Sequence, residues 1–321
     1  MNLSNGIHHI TAIAGDPQQN LDFYVGVLGM RLVKRSVNQD VPDTYHLFYA
    51  DGAGNPGTDL TFFPWPALPP VQRGAGQWDE VYLGVPAGTL EYWSKRLLNV
   101  GAGTGGSVGK IETRFGERVL PFSDPHGMRL ALVEDRSYDG FVFEPWSDGP
   151  VPADRQIRSL AGVRLVERSS EPTVTFLTAA LGFRAAANEG QWQRYVIGQG
   201  VSGQRIDLRV AGDARRGQWG VGAVHHVAWR VADAAAQSAV QQAITAAGGR
   251  PTQVIDRFWF RSVYATEPGG ALLEVATDGP GFSVDEAPGR LGETLVLPEW
   301  LEPQRREIEA ALMPLEPARR F

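Results

Sequence analysis

Four of the six histidines in the chain sit in two doublets, His8–His9 and His225–His226. Each doublet opens a segment of the same kind, GIHHITAIAGD in one and AVHHVAWRVAD in the other. The chain has no cysteine, so thiolate metal sites, Fe–S clusters, disulfides and a cysteine nucleophile are excluded, and any metal ligand must be His, Asp or Glu. Glu274, in the late segment ALLEVATD, is the carboxylate whose position fits. Two imidazoles and one carboxylate on one point form a set that leaves coordination positions open for a substrate and O2 on Fe(II). A lone strand histidine is usually a core or surface residue. Two doublets at equivalent places, together with an acid, are not expected on that basis.

The elements that must position these residues follow from an internal repeat. Four units share the order βαβββ: an apolar strand, an amphipathic helix, then strands broken by Gly-rich turns. The first and fourth open on the His doublets, and each opening strand ends in an Asp suited to capping a helix. The second runs from DEVYLGVPAG to HGMRLALVED, and the third from AGVRLVERSS to GQRIDLRVAG. Helices are expected over 17–28, 90–98, 172–181 and 234–247. Units one and two make an N-terminal domain, 1–138. A linker with aromatic anchors covers 139–156, and units three and four make a C-terminal domain, 157–278. The rest, 279–321, is a tail, extended to about 298 and then helical over 302–313, that packs back on the body.

Aligning the units places Glu274 opposite Thr61, Ala131 and Asp207. If units one and four pair across a cup, the four equivalent positions are His9, Thr61, His226 and Glu274, with Thr61 as a corner that carries no ligand. Neighbouring strand residues point to opposite faces, so only one His of each doublet enters the concave side, and strand phase alone does not say which. A second cup from units two and three would hold Glu80, Ala131, Gly162 and Asp207. It has no nitrogen ligand, solvent exposure explains its acids, and no second catalytic metal is expected there. His46 and His126 are isolated and read as structural or solvated.

A net charge of −6 argues against nucleic acid, whose phosphates demand clustered Lys and Arg. No stretch of about 18 apolar residues is present, so no membrane span is expected, and a cytoplasmic location follows by default. The expected partner is a small molecule, and a homo-oligomer is compatible with the composition.

These segments, with DRFWFRS, Tyr264, EPGGALLEVATDGPGF and the tail LPEWLEPQRREIE, resemble the two-domain ring-cleaving dioxygenases of the vicinal oxygen chelate (glyoxalase/bleomycin resistance) superfamily, especially the hydroquinone type. The resemblance spans nearly the whole chain. It implies an α+β fold of two domains, each a curved, cup-like sheet flanked by helices. It implies that His9 and His226, the second members of the doublets, ligate Fe(II) with Glu274; Mn(II) suits the same set. It implies that His8 and His225 stand behind the ligands and that Arg257 and Tyr264 lie near the substrate, an aromatic diol that is opened with O2. Two departures bear on substrate choice: ATEP follows Tyr264 where a bulkier residue and an Arg are expected, and Trp259 replaces the more usual Tyr. The competing readings are a catechol extradiol dioxygenase, a glyoxalase-like isomerase, which would need a fourth ligand where Thr61 stands, and a non-catalytic binding protein, which would have no use for the triad.

Overall fold

The computed structural model describes residues 4–99, 105–135, 142–319 and 321. Each unit contributes four strands. Unit one has β1 (Ile7–Ala14), β2 (Arg31–Asn38), β3 (Val41–Ala50) and β4 (Asp59–Pro64); unit two has β5 (Gln77–Val85), β6 (Glu112–Arg114), β7 (Glu117–Ser123) and β8 (Arg129–Glu134). Unit three has β9 (Ser159–Glu167), β10 (Arg184–Glu189), β11 (Trp192–Val196) and β12 (Arg205–Val210); unit four has β13 (Val224–Val231), β14 (Ile255–Asp256), β15 (Arg261–Thr266) and β16 (Leu272–Thr277). In every unit the last strand returns parallel to the first, which requires a crossover, and the helix after the first strand begins it.

Those helices lie where the apolar spacing places them: α1 (Pro17–Leu21), continued as a π-helix through Asp22–Val27, α2 (Leu90–Asn99), α3 (Glu171–Leu181) and α4 (Ala234–Ala246). The Asp that ends each His-bearing strand caps the next helix. Asp16 accepts from the Gln19 amide at 2.7 Å and Asp233 from the Ala236 amide at 2.9 Å, contacts worth about 1 kcal/mol each.

The strands form two curved eight-stranded sheets, β14-β15-β16-β13-β1-β4-β3-β2 and β10-β11-β12-β9-β5-β8-β7-β6. Each takes one unit from each half of the chain. Antiparallel pairing of β1 with β13 joins units one and four, and pairing of β5 with β9 joins units two and three. The halves 1–138 and 157–278 therefore do not coincide with the two sheets. Sequence proximity favours neighbouring units only weakly here, because any two first strands can meet at a central seam.

Period-two alternation divides the faces of this seam. Ile10, Ala12, Val227 and Trp229 enter one large core that also takes Val81, Leu83, Val163 and Leu165 from the other sheet. The opposite faces form separate clusters in each cup: Phe48, Ala228, Trp259 and Phe260 in one, Tyr82, Ala131 and Ala161 in the other.

The second cup is filled by charge pairs and is not solvated. Asp207 is buried and held by Arg194 through two bonds, at 2.7 and 2.9 Å, and by the Tyr82 hydroxyl at 3.0 Å. Glu80 is buried against Arg114 at 2.6 Å. A Cβ at Gly162 would come 2.5 Å from Arg205 Cγ, so the arginine packs there only because the position has no side chain. The expectation that exposure explains these acids is thus corrected: buried carboxylates at such positions persist because arginines pair with them.

The tail packs back on the first sheet. It is less extended than expected, with 3₁₀ turns at Phe282–Val284 and Pro288–Arg290, and its terminal helix consists of a 3₁₀ turn, Glu302–Gln304, running into α5, Arg305–Ala311. Leu297, Leu301 and Ile308 are buried with Val37 of β2. In the linker, residues up to 141 lie outside the described residues, while Trp146 packs on the core and the Gln156 amide bonds its backbone. No described helix is long and apolar enough to cross a membrane.

Candidate metal centre

The strand registers agree with the alignment of the four units. Thr11 pairs with Thr61 as Tyr82 pairs with Ala131, and Ala228 pairs with Glu274 as Arg164 pairs with Asp207. His9 and His226 face each other across the seam, and Glu274 projects from the next strand. Their candidate ligand atoms lie within 4.8 Å of one another, the one such group of His and acidic residues found among the described residues. Glu274 Oε2 is 2.9 Å from His226 Nε2 and 3.3 Å from His9 Nε2.

The doublets do not split between faces. A β-bulge falls at His8 in β1, and the β13 register shifts at His225, so each first histidine lies in an irregular step of its strand. As a result the two rings of each pair meet: His8 Nδ1 is 2.9 Å from His9 Nδ1, and His225 Nδ1 is 2.8 Å from His226 Nδ1. With Nδ1 engaged in this way, Nε2 of His9 and of His226 is left for a ligand.

Electrostatics favour a cation at this point. Burial alone would raise the Glu274 carboxyl, but His9 and His226 outweigh it and hold the group well below the usual carboxylate range. Burial lowers His226, His8 and His225, the last to about 3, so these rings are neutral, whereas at His9 burial is outweighed by the Glu274 charge and the ring is raised, so that a cation would replace a proton there. Glu274 Oε1 accepts from the Ser262 hydroxyl. Glu274 Oε2 is buried and lacks any hydrogen bond of proper geometry despite the nearby imidazoles. An orphaned carboxylate oxygen between two imidazole Nε2 atoms fits a divalent ion, which would satisfy all three at once.

A cavity opens over His9 and His226, with Arg257, Tyr264, Phe260, Trp259, Phe48 and His46 in its wall. Tyr264 pairs with Glu274 in register, and Arg257 Nε donates to the Tyr264 hydroxyl at 3.3 Å. Burial pushes the Tyr264 phenol up, with the Glu274 charge adding to it, so the group keeps its proton. Arg257 also pairs with Asp40 at 2.9 Å, and the Gln39 amide donates to the Arg257 carbonyl, which closes the rim between the β2–β3 turn and the turn before β15.

Residues legible in the sequence thus come together: His8, His9, His225, His226, Arg257, Tyr264 and Glu274. Three more were not anticipated, and Trp259, named from the sequence, has an anchor that the sequence does not show. Ser262 supports Glu274, and His46, read as isolated, lines the cavity with Nε2 2.8 Å from Thr61 Oγ1. Asp59, opposite His9 in register, has a carboxyl that burial pushes up to about 8. Trp259 is anchored by its Nε1 to Asp285 of the tail at 2.8 Å. Adjacent histidines stand out in a sequence, whereas these four act through strand pairings and chain segments far away. His126 lies away from the cavity, against Gly15.

Residues 6–86 and 160–275 match the Glyoxalase/Bleomycin resistance protein/Dioxygenase superfamily. The chain belongs to this superfamily. A relative from Bacillus subtilis (strain 168), provisionally named ring-cleaving dioxygenase MhqO, is 42% identical over 97% of this chain and 96% of its own length. The chlorohydroquinone/hydroquinone 1,2-dioxygenase of Sphingobium indicum is 33% identical over 94% of both chains. A crystal structure from Bacillus subtilis, provisionally described as a dioxygenase, superposes with a TM-score of 0.91 at 40% identity and covers 100% of both chains. The fold is that of the superfamily, α+β with two curled sheets, and the kinship makes the chain an oxidoreductase of the dioxygenase type.

Thr61 occupies the corner equivalent to Glu274, where its hydroxyl is engaged by Thr11 Oγ1 at 2.8 Å and by His46. Thr61→Ala is therefore expected to keep its full metal content, since no ligand is lost. Metal analysis checks this, and a loss equal to that in His9→Ala would show that the triad is drawn wrongly.

Proposed function

We propose that the protein is a non-haem Fe(II)-dependent dioxygenase that opens the ring of hydroquinones. The observation that carries this reading is the buried Glu274 Oε2, without a hydrogen bond of proper geometry, 2.9 and 3.3 Å from the Nε2 atoms of two histidines that line an aromatic-walled cavity. His9, His226 and Glu274 would hold the ion, which when bound supplies the electron path between ring and O2 that a spin-forbidden reaction needs.

The chain's own residues do the rest. His8 and His225 fix the ring planes of the two ligand histidines through the Nδ1 contacts, and Ser262 fixes the carboxylate, which limits rotation of all three ligands. Phe260, Phe48 and Trp259 give a flat apolar substrate its complementary wall and reduce access of water. Tyr264, protonated and receiving a hydrogen bond from Arg257, can direct its own proton at a substrate oxygen. Arg257, tied to the rim by Asp40, places positive charge beside an oxygen that becomes anionic.

The hydroquinone assignment follows from the number of polar groups above the metal position. A catechol grips an ion with two adjacent oxygens and needs little else, whereas a para-diol offers one oxygen, and the other must be held by the wall. The relative from Sphingobium indicum is named for hydroquinones and supports the same choice. With Fe(II) restored anaerobically, O2 uptake should show kcat/KM for hydroquinone and methylhydroquinone above that for catechol and 3-methylcatechol by about tenfold or more. Catechols winning by that margin would reject the substrate while leaving the site intact.

A further inference from the structure

We propose that His46 is the wall residue that holds the second oxygen of the bound ring, the one not on the metal; the proposal rests on the hydroquinone reading above. Its position follows from the internal symmetry of the first sheet. In unit four Tyr264 opposes Glu274 and Ser262 opposes Ala276, two residues further on. In unit one Phe48 opposes Thr61 and Leu47 opposes Phe62, and the same register sets His46 against Phe63, two residues beyond Thr61. His46 is therefore the counterpart of Ser262, and Thr61 the counterpart of Glu274.

The two corners divide the same space in opposite ways. In unit four a short Ser262 supports a long Glu274 that reaches the metal position. In unit one the corner residue is the short Thr61 and its support is a full imidazole, so His46 reaches into the cavity where a carboxylate would otherwise extend. The ring is held in place: its centroid is 3.8 Å from that of Phe48 and 4.4 Å from that of Phe63. Two phenyl faces and one hydrogen bond leave it little freedom to rotate.

The hydrogen-bond chain decides what this ring can offer. Among the described residues Thr61 is its hydrogen-bond partner, through Nε2 at 2.8 Å, which leaves Nδ1 for a ligand. Thr61 is in turn bonded to Thr11 at 2.8 Å, and each hydroxyl has one proton and two lone pairs. If Thr61 donates to Nε2, Nδ1 carries the proton and donates. If Nε2 donates to Thr61, and Thr61 to Thr11, Nδ1 accepts. A neutral His46 can thus bond an oxygen as a hydroxyl or as a carbonyl with no change of charge. That matches the second oxygen of a para-diol, which is a hydroxyl in the substrate and takes on carbonyl character as the ring is oxidised.

The test is anaerobic titration of the metal-loaded protein with hydroquinone and with phenol, which share one hydroxyl and differ in the second. The wild type is expected to bind hydroquinone about tenfold more tightly, the scale of one well-placed hydrogen bond. His46→Phe should bring the ratio to about one while metal content and Tm stay at wild-type values, and His46→Gln, which can still donate and accept, should restore most of it. Under air, His46→Phe should raise KM for methylhydroquinone more than it lowers kcat. If His46→Phe does not fold, His46→Leu carries the same comparison. An unchanged ratio in the apolar variants overturns the assignment, as does loss of metal in parallel with loss of preference. Failure of the hydroquinone reading would appear separately, in the wild type, as catechol binding above hydroquinone; a wild type indifferent to the second hydroxyl overturns both.

Discussion

Glu274→Ala is expected to fold and to contain no metal, with ring-opening activity lost altogether. Two neutral imidazoles are a poor set for a hard, labile divalent ion, because water competes well once the only anionic ligand has gone. The change also removes the group that holds His9 and His226 on one point, since Glu274 Oε2 lies 3.3 and 2.9 Å from their Nε2 atoms. His226→Ala should lose the metal for the complementary reason, leaving the Glu274 carboxylate buried with a single imidazole. Metal analysis after anaerobic reconstitution, with circular dichroism to verify the fold, checks both variants. A metal-replete and active Glu274→Ala would show that the three residues do not form the centre.

The second large effect is expected far from the metal, at Lys34. This side chain is fully buried in β2, where its ammonium bonds Asp285 at 2.6 Å, Glu286, and the Phe282 carbonyl at 3.2 Å. Removing one partner of a buried pair leaves the other charges uncompensated, at a cost of about 3–5 kcal/mol. Lys34→Ala should therefore lower Tm by several degrees and open the segment around 282–297 to proteolysis before the rest of the body. It should also weaken substrate binding, because Asp285 anchors Trp259, which lines the cavity. Combining Lys34→Met with Asp285→Asn and Glu286→Gln should recover much of the stability, since no charge is then left unpaired. Thermal unfolding and limited proteolysis measure this, and a Tm within a degree of wild type for Lys34→Ala would mean that the pair contributes nothing net.

Several features of this protein are determined by the sequence alone. The repeat places His9 and His226 at equivalent positions of two opening strands and Glu274 on the closing strand of the fourth unit, and any fold that pairs those strands brings them together. Asp16 and Asp233 mark helix starts by local chemistry, since a cap acts within one turn of its own residue. Tyr264 faces Glu274 within one antiparallel pair and Arg257 stands in the turn that leads into it, so their nearness to Glu274 is also a short-range property.

The tertiary structure decided what depends on contacts distant in the chain. Which unit pairs with which was settled by seam packing between strands more than 200 residues apart, and that pairing, not chain order, makes the first cup a metal candidate and fills the second with arginine and carboxylate pairs. Bulges at the doublets bring both histidines of each pair together, although a regular strand would part them, and nothing in the spacing of two adjacent histidines announces a bulge. His46 and Ser262 take their roles from the strand opposite, and Trp259 from a tail segment that folds back beneath it. A side chain's hydrogen-bond partner across a sheet is set by register, and register is fixed only when the whole sheet closes.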